Sequence, residues 1–325
     1  MSQAGPRYDV VGLGEVMLRL ASAAPMRLEQ TRELDVSFGG AEANVVCALA
    51  RLGLRTAWMS GLPSNVWGER LRRELHAHGV DTSCIVWRDR GRIGTYFLEY
   101  GLGPRPIRVL YDRQGSAFTT VGEGEVEWSV VRESRVVHLT GITPALGDRP
   151  RRLVERAVQE ARTSGTLVSL DVNYRTALWS AAEARRCLEG LLPLAGLLFV
   201  GVEDARLVFG LEGDPEAIAE NLRRRAPQAI VVLTLGAEGS LVLADRPCRP
   251  SRLYPLDAVA DRVGAGDAFA AGFLYGWLTK ADLQYAQDCG TALAALKCTM
   301  WGDVALLRPG ELEELLAQTE PRIRR

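Results

Sequence analysis

Residues Asp261 to Phe273 read DRVGAGDAFAAGF: an aspartate, a turn of small residues, a second aspartate, then an almost wholly apolar helical stretch. Gly264, Ala265 and Gly266 carry almost no side chain, so their backbone can turn sharply and bring N–H groups close to a ligand. The helix starting near Asp267 adds the partly positive end of its dipole. Bare amides at a helix N-terminus form an anion hole, and a carboxylate at the same point can take a proton from a hydroxyl that attacks phosphorus. Taken alone, Asp267 also reads as a capping residue, the commoner use of aspartate at a helix start.

Composition removes several other chemistries. Only Lys280 and Lys297 are lysine among 39 basic residues. There is no GxxxxGK[ST] loop, no protein-kinase strand lysine and no obvious Schiff-base lysine, so an anion must meet arginine, backbone amides or a metal. The six cysteines form no CxxC pair and read as thiols in a reducing compartment. His76 and His78 fall on opposite sides of a helix turn and His138 lies in a strand-like run, which leaves no zinc site. A formal net charge of -1 gives no general pull towards nucleic acid or an anionic membrane. The longest apolar run, Leu191 to Val202, is broken by Pro193 and is shorter than the roughly 20 residues that cross a bilayer. The first residues lack the apolar core of a secretory signal, and a cytoplasmic location is expected.

The elements that must position the turn follow from periodicity. Strand patterns (YDVVGLG, TAWMSGL, VVHLTG, LVSLDV, LLFVG, AIVVLTLG) alternate with helical ones, several of them closed by glycine at Gly53, Gly79 and Gly165. The 325 residues, 47% hydrophobic and 24% charged, suit one α/β domain: a three-layer α/β/α core with a mostly parallel sheet. Residues from about 17 to 38 and from about 82 to 120 show strand patterns without helices between them. They read as a small antiparallel β lid inserted over the crevice at the strand ends.

Two segments together resemble the ribokinase-like (PfkB) carbohydrate kinases: FGGAEANVVCALARLG, Phe38 to Gly53, and the DRVGAGDAF segment. Within that family, LTGITPAL, SLDVNYRTALWS, RVLYDRQGSA and ALKCTMWGD are similar to segments of the 2-keto-3-deoxygluconate kinases. The resemblance implies ATP-dependent phosphorylation of the terminal hydroxyl of a small sugar acid, with Mg²⁺ and with Asp267 as general base beside the Gly264, Ala265 and Gly266 amides. It implies acceptor contacts from Gly40, Ala41, Asn44, Tyr96, Tyr111, Arg113, Arg175 and Asp303. Nucleotide contacts would come from Asn173, Arg175, Thr234, Gly236, Gly239 and Gln287, and a metal contact from Asp204. It also implies a homodimer formed through the lid.

The chemistry suits these assignments. A planar guanidinium such as Arg113 can grip a carboxylate through two hydrogen bonds, and Arg175, at a strand end, can bridge acceptor and phosphoryl group. Each residue alone has a plainer use: Gly39 and Gly40 as a turn into a helix, Tyr96 and Tyr111 as core, Arg175 as a surface ion-pair residue, and the loop Thr234–Ser240 as a hairpin turn.

The sequence departs from the family pattern at GVED (Gly201 to Asp204), where an Asn-x-x-Glu is usual, and at Pro63 to Gly68, which lacks acidic residues. Arg262 stands where Thr or Pro is usual, and Trp301 where Pro is commoner. These departures keep two alternatives open: a kinase of another small sugar such as fructose, or a ligand-binding homologue with impaired catalysis. A dinucleotide oxidoreductase fits poorly, because GLGEVM supplies two glycines and no following helix.

Overall fold

The computed structural model describes residues 5–101, 103–308 and 310–318. Its strands are β1 (Tyr8–Leu13), β2 (Met17–Ala21), β3 (Asp35–Gly39), β4 (Thr56–Pro63), β5 (Ile85–Arg88), β6 (Gly94–Glu99), β7 (Arg108–Asp112), β8 (Ser134–Thr140), β9 (Leu167–Asp171), β10 (Leu197–Gly201), β11 (Ile230–Thr234) and β12 (Ser240–Leu243). Eight of them form one sheet in the order β12-β11-β10-β9-β8-β1-β4-β5. All neighbours in it run parallel except β11 and β12, which form an antiparallel hairpin at one edge.

Both faces of this sheet are covered, which is why its strands read as continuous apolar runs. Successive side chains go to opposite layers. Val11, Met59, Val137, Leu198 and Val231 pack with the helices Asp148–Ser164, Ala181–Leu188, Val202–Phe209 and Pro215–Arg225. Val10, Trp58, Val136, Phe199 and Val232 pack with the helices Ala41–Arg51, Val66–Ala77, Ala265–Lys280 and Leu283–Cys298. The three-layer α/β/α core expected from the sequence is therefore present.

The Ala265–Lys280 helix is apolar nearly all round because it lies between the sheet and the Leu283–Cys298 helix. A Cβ on Gly272 would strike the Cys289 carbonyl, and one on Gly276 would come within 2.6 Å of the Ala286 Cα. The glycines of AFAAGFLYG thus let two helix backbones approach closely.

Strand order reverses about β1, which has β8 on one side and β4 on the other. Such a reversal opens a crevice at the carboxyl ends of the strands. The segments after β1, β8, β9 and β10 converge there, and the glycine turn Gly264–Gly266 begins the helix that faces it.

The second sheet has four strands, in the order β3-β2-β6-β7. It differs from the purely antiparallel flap expected. Its outer pairs are antiparallel, but the central pair, β2 with β6, is parallel because a long stretch of core separates the two strands in the chain. Residues 85–88, inside the expected insert, instead form β5 on the edge of the large sheet.

His138, in β8, is wholly buried between Phe199 and the Ser169 hydroxyl, which lies 2.9 Å from its Nδ1; its Nε2 has no partner among the described residues. Burial pushes this imidazole down to about 4. A histidine with a lowered folded pKa stabilises above the unfolded value near 6.5, and that contribution is lost as pH falls from about 6.5 towards 4. We expect the His138→Asn variant to lose less stability than the parent between pH 7 and pH 4.5. The difference, on the order of 2–3 kcal/mol, is read from urea unfolding at the two pH values.

Candidate active site

Asp267 lies in the first turn of the Ala265–Lys280 helix and is 8% exposed. Two side chains from other elements hold its carboxylate. Asn44, on the Ala41–Arg51 helix, donates from Nδ2 to Oδ2 at 2.7 Å, and Asn173, just after β9, donates from Nδ2 to Oδ1 at 3.5 Å. Burial raises this carboxyl to about 6, the Asn44 bond and the Arg175 charge hold it down, and Asp303 adds to the rise. A carboxylate near that value is ionised at neutral pH yet basic enough to accept a proton.

The turn before it has no room for side chains on its inner side. Gly264 has φ +85°, and a Cβ there would collide with the Asp303 carbonyl. The Ala265 amide does not stand free as expected, because it donates to the Arg262 carbonyl at 3.2 Å in the turn that starts the helix. Gly266 and Asp267 follow in the first turn, where amides have no intrahelical acceptor. A Cβ on exposed Gly266 would meet nothing within 4 Å, so packing does not require glycine at this position.

Carboxylates gather at the neighbouring strand ends. Asp171 closes β9, and Asp204 sits in the first turn of the helix after β10, accepting from the Tyr174 amide at 3.1 Å. Burial, then the charges of Asp267 and Asp204, push Asp171 up to about 8; burial also raises Asp204. Asn173 has φ +40°, a left-handed conformation that asparagine tolerates, and its amide donates to Asp171 at 3.1 Å. Arg175 is exposed, its guanidinium makes a 3.4 Å contact to the Tyr174 carbonyl, and its charge bears on Asp171, Asp204 and Asp267. Its guanidinium remains available to an anion.

Among the described residues no group of three or more His, Cys, Asp or Glu side chains is arranged to hold a metal alone. Asp171, Asp204 and Asn173 offer oxygen donors beside unbalanced negative charge. That set fits Mg²⁺, which keeps several waters and takes one or two carboxylates alongside phosphates.

On the acceptor side the geometry alters several expectations. Gly40 is the residue before the Ala41 helix; its Cα faces the Glu15 carbonyl, which a Cβ would strike, so close packing requires glycine there. Ala41 is buried beside it. Arg113 does not present an open fork: its Nε donates to Glu15 Oε2 at 2.8 Å, its Nη2 binds the same oxygen, and the pair is buried. The fork is filled because the chain after β1 carries Glu15 to the strands of the small sheet. Tyr111 is half-exposed on β7, with its ring 5.9 Å from that of Tyr96. Tyr96 is buried, and its hydroxyl lies beside Gly39 and faces the Asp303 carboxylate, with which it interacts. Asp303 is not a free carboxylate: it is buried and ion-paired to Arg19 of β2 behind the glycine turn.

On the nucleotide side, Thr234 ends β11, and Gly236 (φ +63°) and Gly239 (φ +90°) form the turn of the β11–β12 hairpin, the plainer reading of that loop. Gln287 is not at the surface of this loop. It is fully buried, and its Nε2 donates to the Ser240 carbonyl at 2.7 Å, tying the Leu283–Cys298 helix to β12. Its Nε2 is taken up internally because that helix packs directly on the hairpin edge, while its buried Oε1 has no partner among the described residues.

Arg262, which could have filled the crevice, is exposed. Residues that sequence reasoning missed include Asp171 and Glu15, together with Glu42, whose buried carboxyl accepts from the Thr140 and Thr143 hydroxyls at 2.8 and 2.7 Å. Asp171 was findable as the acid ending the strand before Asn173. Glu15 and Glu42 lie in apolar runs whose spacing says nothing of their partners.

A family model described as pfkB family carbohydrate kinase matches residues 8–307. The chain is 37% identical to a 2-dehydro-3-deoxygalactonokinase of Haloferax volcanii over 95% of its own length and 96% of that protein's. The crystal structure of a 2-dehydro-3-deoxygluconokinase from Thermotoga maritima superposes with a TM-score of 0.90 at 35% identity, covering 96% of this chain and 100% of that one. An uncharacterized sugar kinase from Pyrococcus horikoshii, solved in complex with ATP, gives a TM-score of 0.78 at 25% identity, covering 95% and 98%.

The two glycines of the turn should respond in opposite ways to alanine. Gly264→Ala meets both a positive φ and the Asp303 carbonyl and should lose about 1–3 kcal/mol of stability. Gly266→Ala has open space and a helical position and should stay within about 1 kcal/mol of the parent or exceed it. Thermal or urea unfolding of both variants decides the matter; equal losses would show that the turn packs otherwise.

Proposed function

Because the chain belongs to the pfkB family of carbohydrate kinases, we propose that it transfers the γ-phosphoryl group of ATP to the terminal hydroxyl of 2-keto-3-deoxygluconate or its galactonate epimer. The observation that carries this reading is the buried, doubly hydrogen-bonded carboxylate of Asp267 next to the open first turn at Gly266. Asp267 accepts the hydroxyl proton as the oxygen attacks. The Gly266 and Asp267 amides, with the Gly264 turn behind them, meet the negative charge on the transferred group, and Arg175 bridges it from the β9 side. Asp204 and Asp171 would hold Mg²⁺, which would supply neutralisation of the triphosphate charge when bound. The glycines of the β11–β12 hairpin, Gly236 and Gly239, let the chain pass close under the nucleotide.

The acceptor side lies under the small sheet, which carries Tyr111, and beside Asn44, whose side-chain amide meets Asp267. Arg113 is the cation for the acceptor carboxylate only by exchanging Glu15 for it or by using its remaining edge. The relatives named for galactonate and for gluconate acceptors support a 2-keto-3-deoxy acid over a neutral sugar. We further read the small sheet as a lid and as the face through which two copies pair: its outer strand β7 leaves an edge open and exposes Leu110 and Tyr111. A cytoplasmic location is part of the same reading; all six cysteines are free, and no described helix is long and apolar enough to cross a membrane.

A coupled ADP-release assay with each epimer and with fructose tests the assignment, and turnover of fructose alone would overturn the acid-acceptor reading. Asp267→Asn should lower kcat by about 10²–10⁴-fold with little change in the KM for ATP. Since the base works only when ionised, kcat/KM should fall as pH drops below about 6. Arg175 holds that carboxyl down, so Arg175→Gln should move the acid limb to higher pH. A limb that stays in place would remove Arg175 from the site.

A further inference from the structure

Lys297 is wholly buried in a chain that uses arginine for nearly all its cations. Its Nζ donates to the Asp261 carbonyl at 3.1 Å and to the Met300 carbonyl at 3.3 Å. Those carbonyls belong to the two segments that meet behind the glycine turn. The Asp261 side chain continues the connection: Oδ1 accepts from the Val263 amide at 2.9 Å, and Oδ2 accepts from the Gly302 amide at 3.3 Å and from Arg19. Arg19 also binds Asp303 and the Tyr100 hydroxyl, and the Asp303 carbonyl is the surface against which Gly264 packs. Two cations and two carboxylates are thus enclosed together, with charges that cancel.

Stability alone gives little reason to keep such a cluster, since well-packed apolar residues in place of buried ion pairs are often as stable. Register gives one. A lysine ammonium is a compact charge whose three donors can draw together carbonyls from two directions, whereas a planar guanidinium needs a wider, flatter partner. The Lys297 carbonyl partners lie three residues before Gly264 and three before Asp303, so the ammonium fixes where the turn stands relative to the segment it leans on.

Resting on the kinase reading above, we propose that Lys297 is a positioning residue for phosphoryl transfer: its buried ammonium clamps the Asp261–Gly264 and Met300–Asp303 segments, and so aims the first-turn amides at the transferred group. Lys297 reaches neither Asp267 nor the crevice and acts through the backbone of the turn.

The test compares Lys297→Met, Lys297→Arg and Lys297→Ala with the parent enzyme. Lys297→Met should lose about 100-fold in kcat while the KM values for ATP and acceptor stay within about threefold, because only the transition-state contacts are misaligned. Lys297→Arg should not restore the rate. Methylammonium should raise the kcat of Lys297→Ala saturably by at least about tenfold, and tetramethylammonium, which has no N–H, should not. Calorimetry with ADP and aluminium fluoride, a mimic of the transferring group, reads the turn without any acceptor. Lys297→Met should bind ADP normally and the ADP–fluoride complex at least about tenfold more weakly than the parent. A parent enzyme that phosphorylates no acceptor would defeat the kinase reading, while that binding comparison still judges Lys297. Retained kcat, equal binding of the mimic, or equal effects of the two amines would overturn the proposal. So would variants that remain unfolded by circular dichroism even with methylammonium, since Lys297 would then serve the fold alone.

Discussion

A carboxylate buried at the first turn of an apolar helix stays charged only if hydrogen-bond donors and positive charge replace the water it has lost. Asp267 obtains that replacement from three separate parts of the chain: Asn44 on an early helix, Asn173 after β9, and the charge of Arg175. Bringing these together requires the strand ends, the first helix and the glycine turn to meet at one point. The reversal of strand order at β1 makes that meeting possible, because helices on both faces then direct their ends into one crevice.

The same constraint explains how small residues are used around the crevice. Gly40 lies against the Glu15 carbonyl and Gly264 against the Asp303 carbonyl, so both are required by close packing of backbone on backbone. Gly266 is different: the fold leaves space in front of it. A glycine that packing does not need, at a helix N-terminus beside a buried acid, is where a ligand's oxygen atoms can come nearest to the main chain. Conversely, much of what surrounds the crevice is already internally paired. Arg113 with Glu15, and Arg19 with Asp303 and Asp261, are ion pairs closed from solvent, so they shape the site and hold it in register rather than offering free charge.

The fold was largely legible because the apolar periods of strands and helices differ and glycines close several helices at the expected places, such as Gly53, Gly79 and Gly165. The second small sheet is present as expected but is not wholly antiparallel, since pairing direction depends on which strands meet and not on their own residues. At the site, Asp267, Asn44, Asn173 and Arg175 were legible from their motifs and do come together. Gln287, Asp303 and Arg113 were read as ligand contacts, yet each is engaged internally by a partner distant in the chain, at Ser240, Arg19 and Glu15. No local pattern in the sequence announces such a partner.

The sequence by itself determined the order of strands and helices, the bare turn before Asp267 and the near-absence of lysine, because these depend on residue type and short-range spacing. Tertiary structure alone decided which charges stay exposed: Arg175 is at the surface beside the strand ends while Arg19, Arg113 and Lys297 are spent inside. The physical reason is that a charged group is available only if no opposite charge or carbonyl has been folded against it, and that depends largely on contacts between residues far apart in the chain, such as Arg19 with Asp303.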